Sequence, residues 1–428
     1  MKKAIFLSLI CVFAAGVSGV TGQDRYQSGS SYSALASGFP VDFRSSQGAG
    51  MGVSGVSISN RLVTNLSNPA LWHNTYFTLA SGGLSFSMHD ARDEFGSAVN
   101  NHVAIDHFQL QVPIYRERLG VSVALYPETA SRFSAINQFS VPPATVGADT
   151  VNYTTFYRGE GGLNRFEAGF GYKLSENFAV GYAASVVFGT QRTATDITFS
   201  TPGYQPAAFE TRISSLGYGH RLGFYGQYLG ITSNSDGIAF GITASLPVDM
   251  GGKREVSTVT GNTLTVVEGE DEGPQGNLLL PMELNTGLTV YFNRYAMLTG
   301  EVLMQNWSNY QNFAGQTEDF LKDRLKLGAG FEYAAFRRPE SSLFTRLGYR
   351  AGVSYDAGHL ELNDKQIQTL LFSAGLAIPS PVSGSSVAIN FEYGFRGTTS
   401  HELVRERIFG IRLTFNLTEM MFLQRRLQ

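Results

Sequence analysis

The chain has 428 residues, with 32 Lys and Arg against 35 Asp and Glu, so its formal net charge at pH 7 is −3. This balance, without a basic block, excludes a typical nucleic-acid binder. Charged residues make up 16%, below the roughly 25% usual for soluble domains, whereas the chain holds 48 Gly, 31 Phe and 20 Tyr. The composition excludes a typical cytosolic enzyme. Beyond the N-terminus there is no run of about 18 apolar residues for a membrane-spanning helix.

Residues 1–22 are typical of a secretory signal peptide. Two lysines precede an apolar stretch over 4–15, and small residues lead to a predicted cleavage site before Gln23. The alternative, a membrane anchor, is disfavoured because the apolar stretch is short. The only cysteine, Cys11, lies in this segment without the small preceding residue that lipidation needs, so the mature chain offers neither a disulfide nor a thiol site.

Residues 23–75 lack a sustained period and are predicted to be a separate segment. The run Gly50-x-Gly52-x-x-Gly55 formally matches a dinucleotide-binding fingerprint. That interpretation needs a preceding parallel strand and a following βαβ unit, and neither is indicated. Tight packing of a glycine backbone in a confined space explains the run better.

From residue 76 onward, apolar and polar or small residues alternate, which predicts β-strands. In 407–416, for example, Phe409, Ile411, Leu413 and Phe415 share one face. The fourteen candidate strands are 76–89, 102–115, 120–127, 165–174, 178–193, 212–228, 238–250, 281–292, 295–307, 324–335, 343–355, 368–378, 386–395 and 407–416.

The length of these strands and the order of their connections favour an all-β transmembrane antiparallel barrel over a soluble sandwich. Most strands have about ten residues, enough for a tilted crossing of a bilayer. Every second connection is short and those between are long, the pattern of bacterial outer-membrane barrels with short periplasmic turns. We therefore predict a barrel over 76–416 and a periplasmic tail over 417–428. The segment 128–164 is the weakest match, and it could continue strands above the membrane.

A barrel of fourteen strands is wide enough to need a filling, so residues 23–75 are predicted to form a plug in its lumen. Apolar side chains of this segment either pack against the wall or also form a pocket for an apolar ligand. The pocket candidates are Val53, Val56, Ile58, Leu66, Leu71 and Trp72.

Short motifs in a recurring order resemble the FadL-type outer-membrane transporters of long-chain fatty acids and other hydrophobic compounds, in a form similar to Bacteroidetes members. They are Gly50-Met51-Gly52, Asn68-Pro69-Ala70, Gly159–Leu163, Leu280-Pro281, Trp307–Tyr310 and Glu392–Gly397. The resemblance implies a fourteen-strand barrel with an N-terminal hatch. It assigns Asn68, Pro69 and Ala70 to that hatch, and we add Gly50, Gly52 and Gly55.

Charged residues on the predicted lumen face allow two interpretations. They could attract an anion such as a carboxylate head group, or they could pair with one another and hold plug and wall together. The second is favoured, because charges inside barrels are commonly structural. The residues are Arg221, Glu301, Arg346, Arg350, Glu392, Arg396 and Arg412.

Catalytic and metal-binding patterns are weak, so we predict no enzyme, no metal and no cofactor. His102 and His107 are an odd number of residues apart, which would place them on opposite faces of a strand. His89, Asp90 and Asp93 are the nearest approach to a catalytic cluster, and exposed charge at the end of a strand explains them better.

These observations predict a Gram-negative outer-membrane transporter for passive uptake of hydrophobic compounds such as long-chain fatty acids. We expect outer-membrane lipid and hydrophobic small molecules as its partners, and no nucleic acid. We expect a monomer, because barrel closure removes free strand edges. The alternative is a FadL-like component of protein secretion or outer-membrane assembly that binds exported protein.

Overall fold

The computed structural model describes residues 29–42, 44–142, 150–233, 235–260, 263–268, 275–337, 346–380 and 384–419. The predicted signal peptide, residues 23–28 of the predicted plug and residues 420–428 of the predicted tail lie outside this part of the chain. No helix within it is long and apolar enough to span a membrane.

Most of the described chain forms one closed antiparallel β-barrel. The strands are β1 (Phe39–Pro40), β2 (Thr78–Arg92), β3 (Ser97–Tyr115), β4 (Leu119–Pro127), β5 (Thr129–Ala130), β6 (Phe133–Val141), β7 (Val151–Lys173), β8 (Phe178–Phe199), β9 (Ala207–Leu229), β10 (Gly237–Ser245), β11 (Val248–Thr260), β12 (Thr263–Glu268), β13 (Gln275–Leu280), β14 (Glu283–Tyr291), β15 (Ala296–Gln305), β16 (Arg324–Ala334), β17 (Gly348–Asp356), β18 (Glu361–Leu362), β19 (Lys365–Gln366), β20 (Thr369–Pro379), β21 (Ser386–Arg396) and β22 (Arg405–Glu419). The helices are α1 (Ser46–Ala49) and 3₁₀ helices at Ser31–Ala34, Pro69–His73, Trp307–Asn309, Ala335–Arg337 and Ser400–Glu402.

The wall contains fourteen strands, which confirms the predicted fold class. Eleven run without interruption, and three consist of pieces: β4 continues as β6, β10 continues as β11, and β14 is preceded by β12 and β13. Strand β7 pairs with both β4 and β6, and β9 pairs with both β10 and β11. The break after β10 falls at Leu246-Pro247, where proline has no N–H for the ladder. The wall closes where β2 pairs with β22.

The predicted alternation separates an apolar outer face from a buried inner face. In β22, Phe415 and Leu417 are 38% and 56% exposed, whereas Thr414 and Asn416 are 0% and 2% exposed. An outward band of apolar side chains is what a bilayer requires of a barrel. The fold is therefore that of a transmembrane barrel.

Strand lengths differ most at the end of the barrel that carries the long connections. Strands β7, β8 and β9 contain 23, 22 and 23 residues, against about 10 needed to cross a bilayer. The described parts of 128–164 continue wall strands, as β6 and the first half of β7. The last strand ends at Glu419, three residues beyond the predicted limit of the barrel.

The inner segment, which we define as residues 44–75, contains α1 and the 3₁₀ helix Pro69–His73 but no strand. Its residues 46–69 contact inward-facing residues of all fourteen wall strands. The contacted wall residues are Ser81, Gln109, Ala124, Gly171, Gly181, Gly223, Gly241, Thr289, Glu301, Gly330, Gly352, Gly375, Asn390 and Asn416.

Replacing Gly352 by Ala should destabilise the barrel. An added methyl group would collide with the backbone carbonyl of Met51 in the inner segment, and overpacking of this kind costs about 1–3 kcal/mol. We expect a lower midpoint for heat-induced barrel unfolding, measured by the electrophoretic shift in detergent. Gly300→Ala is the matched control, because the nearest atom to its new methyl would be 3.8 Å away. Equal midpoints for the two variants would contradict the described contact.

Candidate functional site

Glu301 of β15 is the strongest single anchor of the inner segment. Its carboxylate accepts hydrogen bonds from the backbone N–H groups of Ser54 at 2.6 Å, Gly55 at 2.7 Å and Val56 at 2.7 Å. Three successive N–H groups around one carboxylate form an anion-binding concavity. The Glu301 side chain is buried, so these hydrogen bonds satisfy a charge that water does not reach.

The short helix α1 is held by wall residues from several strands. Arg350 and Asn390 each donate to the carbonyl oxygen of Ser46 at 3.2 Å. Gln47 donates to both carboxylate oxygens of Glu332 at 2.8 Å. A four-residue helix is too short to be stable alone, so these contacts with the wall fix its position.

Asn68-Pro69-Ala70 forms a second anchor. The Asn68 side chain accepts from the Ala70 N–H at 2.9 Å, which caps the 3₁₀ helix, and donates to the carbonyl oxygens of Val56 at 2.8 Å and Phe224 at 3.0 Å. Pro69 packs directly against the main chain of the wall, since the facing wall residues are glycines. A side chain at any of them would collide with Pro69 or its neighbours. These wall residues are Gly171, Gly181 and Gly223.

The three predicted hatch glycines lie in contact with the wall or in turns with positive φ. Gly52 and Gly55 have φ of 69° and 98°, a region that glycine adopts at low cost. A Cβ on Gly50 would come within 3.1 Å of the Cα of Gly375 in β20. The fingerprint-like spacing thus reflects backbone conformation and close packing.

The six apolar candidates are all buried against the wall or within the segment. Val53 and Ile58 cluster with Met51 and Met297, and Leu71 packs in another cluster. The remaining candidates pack similarly, and all six side chains are at most 3% exposed: Val53, Val56, Ile58, Leu66, Leu71 and Trp72. In this conformation packing accounts for them fully, and their role as a ligand pocket stays a prediction.

Most of the predicted lumen charges are paired with side chains of opposite charge. Arg350 contacts Glu332 at 2.6 Å, and Arg221 pairs with Glu167 while donating to the carbonyl oxygen of Leu66 at 2.8 Å. The other pairs are Arg44 with Glu392, Arg396 with Glu406 at 3.4 Å, and Arg412 with Asp106 at 3.2 Å.

Arg346 is the exception, because its predicted place in the lumen is wrong. It is exposed and lies two residues before β17, which begins at Gly348. The predicted alternation includes residues that precede the first paired residue of β17. Side-chain direction follows the pleat only within the strand.

A buried charge cluster around Asp42 was missed by the sequence reasoning. Asp42 pairs with Arg324 at 2.9 Å and with Lys326, and it lies 3.8 Å from Arg44. Arg324 also contacts Asp356 at 2.6 Å. Burial alone would raise the pKa of Asp42, but the surrounding cations hold it well below its usual range. Arg324 could have been found, since it has the same strand phase as Lys326.

Outer loops form an apolar cover above the inner segment. Trp307 and Tyr310, from the motif that resembles the FadL-type family, pack there with Tyr32 and with further apolar side chains. Tyr32 donates to the carbonyl oxygen of Val404 at 2.5 Å, and burial raises the pKa of Tyr32 to about 12. His359 lies with its ring 4.6 Å from that of Trp307, and burial lowers the pKa of His359 to about 3.

A β-bulge in β3 changes the strand phase at Asp106, which has no partner in β2. Ile105 and Phe108 are both exposed, although they are an odd number of residues apart. His102 and His107 therefore share the inner face, and their predicted placement on opposite faces is wrong. A cavity of about 10 Å³ adjoins Asp106, room for one water molecule.

Among the described residues, no group of three or more His, Cys, Asp or Glu side chains could hold a metal ion. The described charges and hydrogen bonds hold one segment of the chain across the bore.

Replacing Glu301 by Gln should loosen the inner segment. One amide oxygen cannot accept all three N–H groups, and an unsatisfied buried donor costs about 1–3 kcal/mol, enough to raise the released population about fivefold or more. Trypsin should therefore cleave faster after Arg44, which is 6% exposed in the intact protein. Mass spectrometry of the fragments gives the rate.

The control for this experiment is Glu255→Gln, because the Glu255 side chain is 55% exposed and lies on the outer face. It should leave the cleavage rate after Arg44 unchanged. Equal rates for wild type and Glu301→Gln would contradict the anchoring role of Glu301.

Comparisons with known proteins agree with this fold. The chain is similar to the Ralstonia pickettii toluene transporter TbuX (13% identity, 88% of this chain and 98% of that one, TM-score 0.57). It is similar to a Pseudomonas aeruginosa FadL homologue (13%, 89% and 99%, TM-score 0.57) and to the P. putida toluene transporter TodX (15%, 90% and 100%, TM-score 0.56). A search of curated proteins gives no match.

The structural neighbours share the FadL-type barrel fold, as the sequence motifs implied. At the level of sequence, a model of the BamG family matches residues 1–428. The chain therefore belongs to the BamG family.

Proposed function

We propose that this chain is a Gram-negative outer-membrane barrel for passive uptake of hydrophobic compounds, in which residues 23–75 act as a hatch. One observation carries the proposal: the inner segment contacts every wall strand yet forms no ladder with any of them. It can therefore move while the wall stays closed. Similarity of fold to structures described as toluene transporters supports this choice of cargo class.

In the proposed mechanism, cargo enters beneath the outer cover around Trp307 and passes the inner segment when its anchors break. It leaves past the displaced segment or through a sideways gap in the wall. Transfer between apolar sites drives movement down the gradient. Long-chain fatty acids are the finer proposal for the cargo, and the apolar residues Val53, Val56 and Ile58 are the surface that a moving hatch would expose.

Locking the hatch should stop uptake. The hydroxyl oxygens of Ser57 and Thr289 are 2.7 Å apart, and the predicted mature chain has no cysteine. A Ser57→Cys/Thr289→Cys disulfide should lower the initial uptake of labelled oleate and toluene about tenfold, because a closed gate limits the rate. Reduction should restore uptake.

The matched control is Thr289→Cys/Thr299→Cys, which joins two neighbouring wall strands whose hydroxyls are 3.0 Å apart. It should transport normally in both redox states. The hatch proposal would be contradicted if the oxidised Ser57→Cys/Thr289→Cys variant took up cargo as fast as the same variant after reduction.

A second candidate function is a component of outer-membrane assembly or secretion that binds exported protein. The specific observation in its favour is the extension of β7, β8 and β9, about 13 residues or about 40 Å along each strand beyond a membrane crossing. A small hydrophobic molecule does not need such a projection, whereas a protein partner could contact it.

The locked variant separates the two functions in a deletion strain. If the chain serves assembly, oxidised Ser57→Cys/Thr289→Cys should restore the amounts of other outer-membrane proteins, measured by quantitative mass spectrometry. If it serves uptake alone, those amounts should be the same with and without the chain.

A further inference from the structure

Two arginines face each other at the seam where the barrel closes. Arg92, the last residue of β2, is the register partner of Arg405, the first residue of β22. Both side chains are exposed on the outer face. Like charges directly opposite each other destabilise a pair of strands, so this arrangement needs a compensating charge.

The described protein supplies little of that charge. Asp90 pairs with Arg407, two residues along β22. Within the described chain, neither Arg92 nor Arg405 forms an ion pair; Arg405 lies over the ring of Phe395 at 5.3 Å. Of these three guanidinium groups, only that of Arg407 contacts the carboxylate of Asp90.

The adjoining turn carries two acidic residues, Asp93 and Glu94, and among the described residues Glu94 forms no ion pair with either arginine. Asp93 accepts from the backbone N–H groups of Phe95 at 2.8 Å and Gly96 at 2.7 Å. It thus caps the turn, and its hydrogen bonds aim it at backbone rather than at the arginines.

Another opposed pair shows how the chain neutralises such repulsion itself. Arg192 and Arg212 are register partners in β8 and β9. Glu210 lies 2.6 Å from Arg192 and 4.0 Å from Arg212, and Glu255 lies 3.9 Å from Arg212. In the part of the chain that the structure describes, no carboxylate forms an ion pair with Arg92 or Arg405.

The height of the seam pair matches the lipid headgroups. Leu417, 56% exposed, marks the lower part of the apolar face of β22. Arg407 is ten residues above it, which at about 3.3 Å per residue and a tilt of about 40° is about 25 Å, the height of the apolar band of a barrel. The arginines lie at the end with the long loops, above outward apolar residues such as Phe409 and Met88.

We propose that Arg92 and Arg405 bind the phosphate of a phosphorylated glycolipid headgroup in the outer leaflet. Arginine guanidinium groups suit phosphate because they donate two parallel hydrogen bonds. Ser97, the register partner of Arg92 in β3, places a hydroxyl beside them. The acyl chains would lie on the apolar face of β2 and β22.

The test uses the full chain in zwitterionic detergent with diphosphorylated lipid A as the probe. Native mass spectrometry measures retained lipid, and Arg92→Gln/Arg405→Gln should weaken retention about tenfold. The control Arg192→Gln/Arg212→Gln should retain lipid as the wild type does. Since the first variant removes repulsion, it should unfold at the same temperature as lipid-free wild type or higher.

Binding measurements with two further probes identify the source of the phosphate. Lipid A without phosphates should bind wild type no better than it binds the Arg92→Gln/Arg405→Gln variant. Millimolar inorganic phosphate should compete only weakly, because it lacks acyl chains. Three results would each overturn the proposal. The first is equal retention of diphosphorylated lipid A by wild type and variant, and the second is binding of dephosphorylated lipid A to wild type as tight as that of the diphosphorylated form. The third is binding of inorganic phosphate as tight as that of lipid A.

Discussion

The fit between a glycine-lined wall and the backbone of residues 46–70 is the constraint on which the rest of the structure depends. Wall glycines such as Gly181, Gly241 and Gly352 leave no room for even a methyl group against the inner segment. Backbone can approach backbone so closely only where side chains are absent. This fit explains why a chain with 48 glycines can form a stable barrel although glycine weakens strands.

Buried charges add to that fit, and they determine which contacts weaken first when one of them is removed. Removing one member of a buried ion pair leaves a charge without compensation and is strongly destabilising. Asp42, Arg44 and Gln47 each have at least one partner on the wall, namely Arg324 and Lys326, Glu392, and Glu332. Loss of such a contact therefore weakens the attachment of the N-terminal part of the chain rather than the wall ladder. The same contacts would set the energy needed to open the proposed hatch.

The barrel could be predicted from the sequence because its signal is local. Period-two alternation within Arg405–Glu419 needs no knowledge of other strands. The bulge at Asp106 could not be foreseen, since it depends on how β3 pairs with β2, and it put His102 and His107 on one face. The partners of Asp42 were hidden for a similar reason: Arg324 lies 282 positions away along the chain.

Motif order singled out Asn68, Pro69 and Ala70 without indicating what these residues do in the structure. Asn68 acts as a helix cap and a bridge to Phe224, a role that three adjacent letters do not reveal. The prediction for Arg346 was wrong because the alternation of β17 was applied two residues before the strand begins at Gly348. Side-chain direction is predictable within a paired strand and lost at its first unpaired residue.

Hydrogen exchange of the whole protein in lipid nanodiscs tests the central claim most directly. If the inner segment fills the bore, backbone amides of residues 46–58 should exchange as slowly as those of the wall strand β15. Exchange of residues 46–58 as fast as that of the exposed turn at residues 93–96 would contradict the account, since a segment free of the wall could not hold those hydrogen bonds.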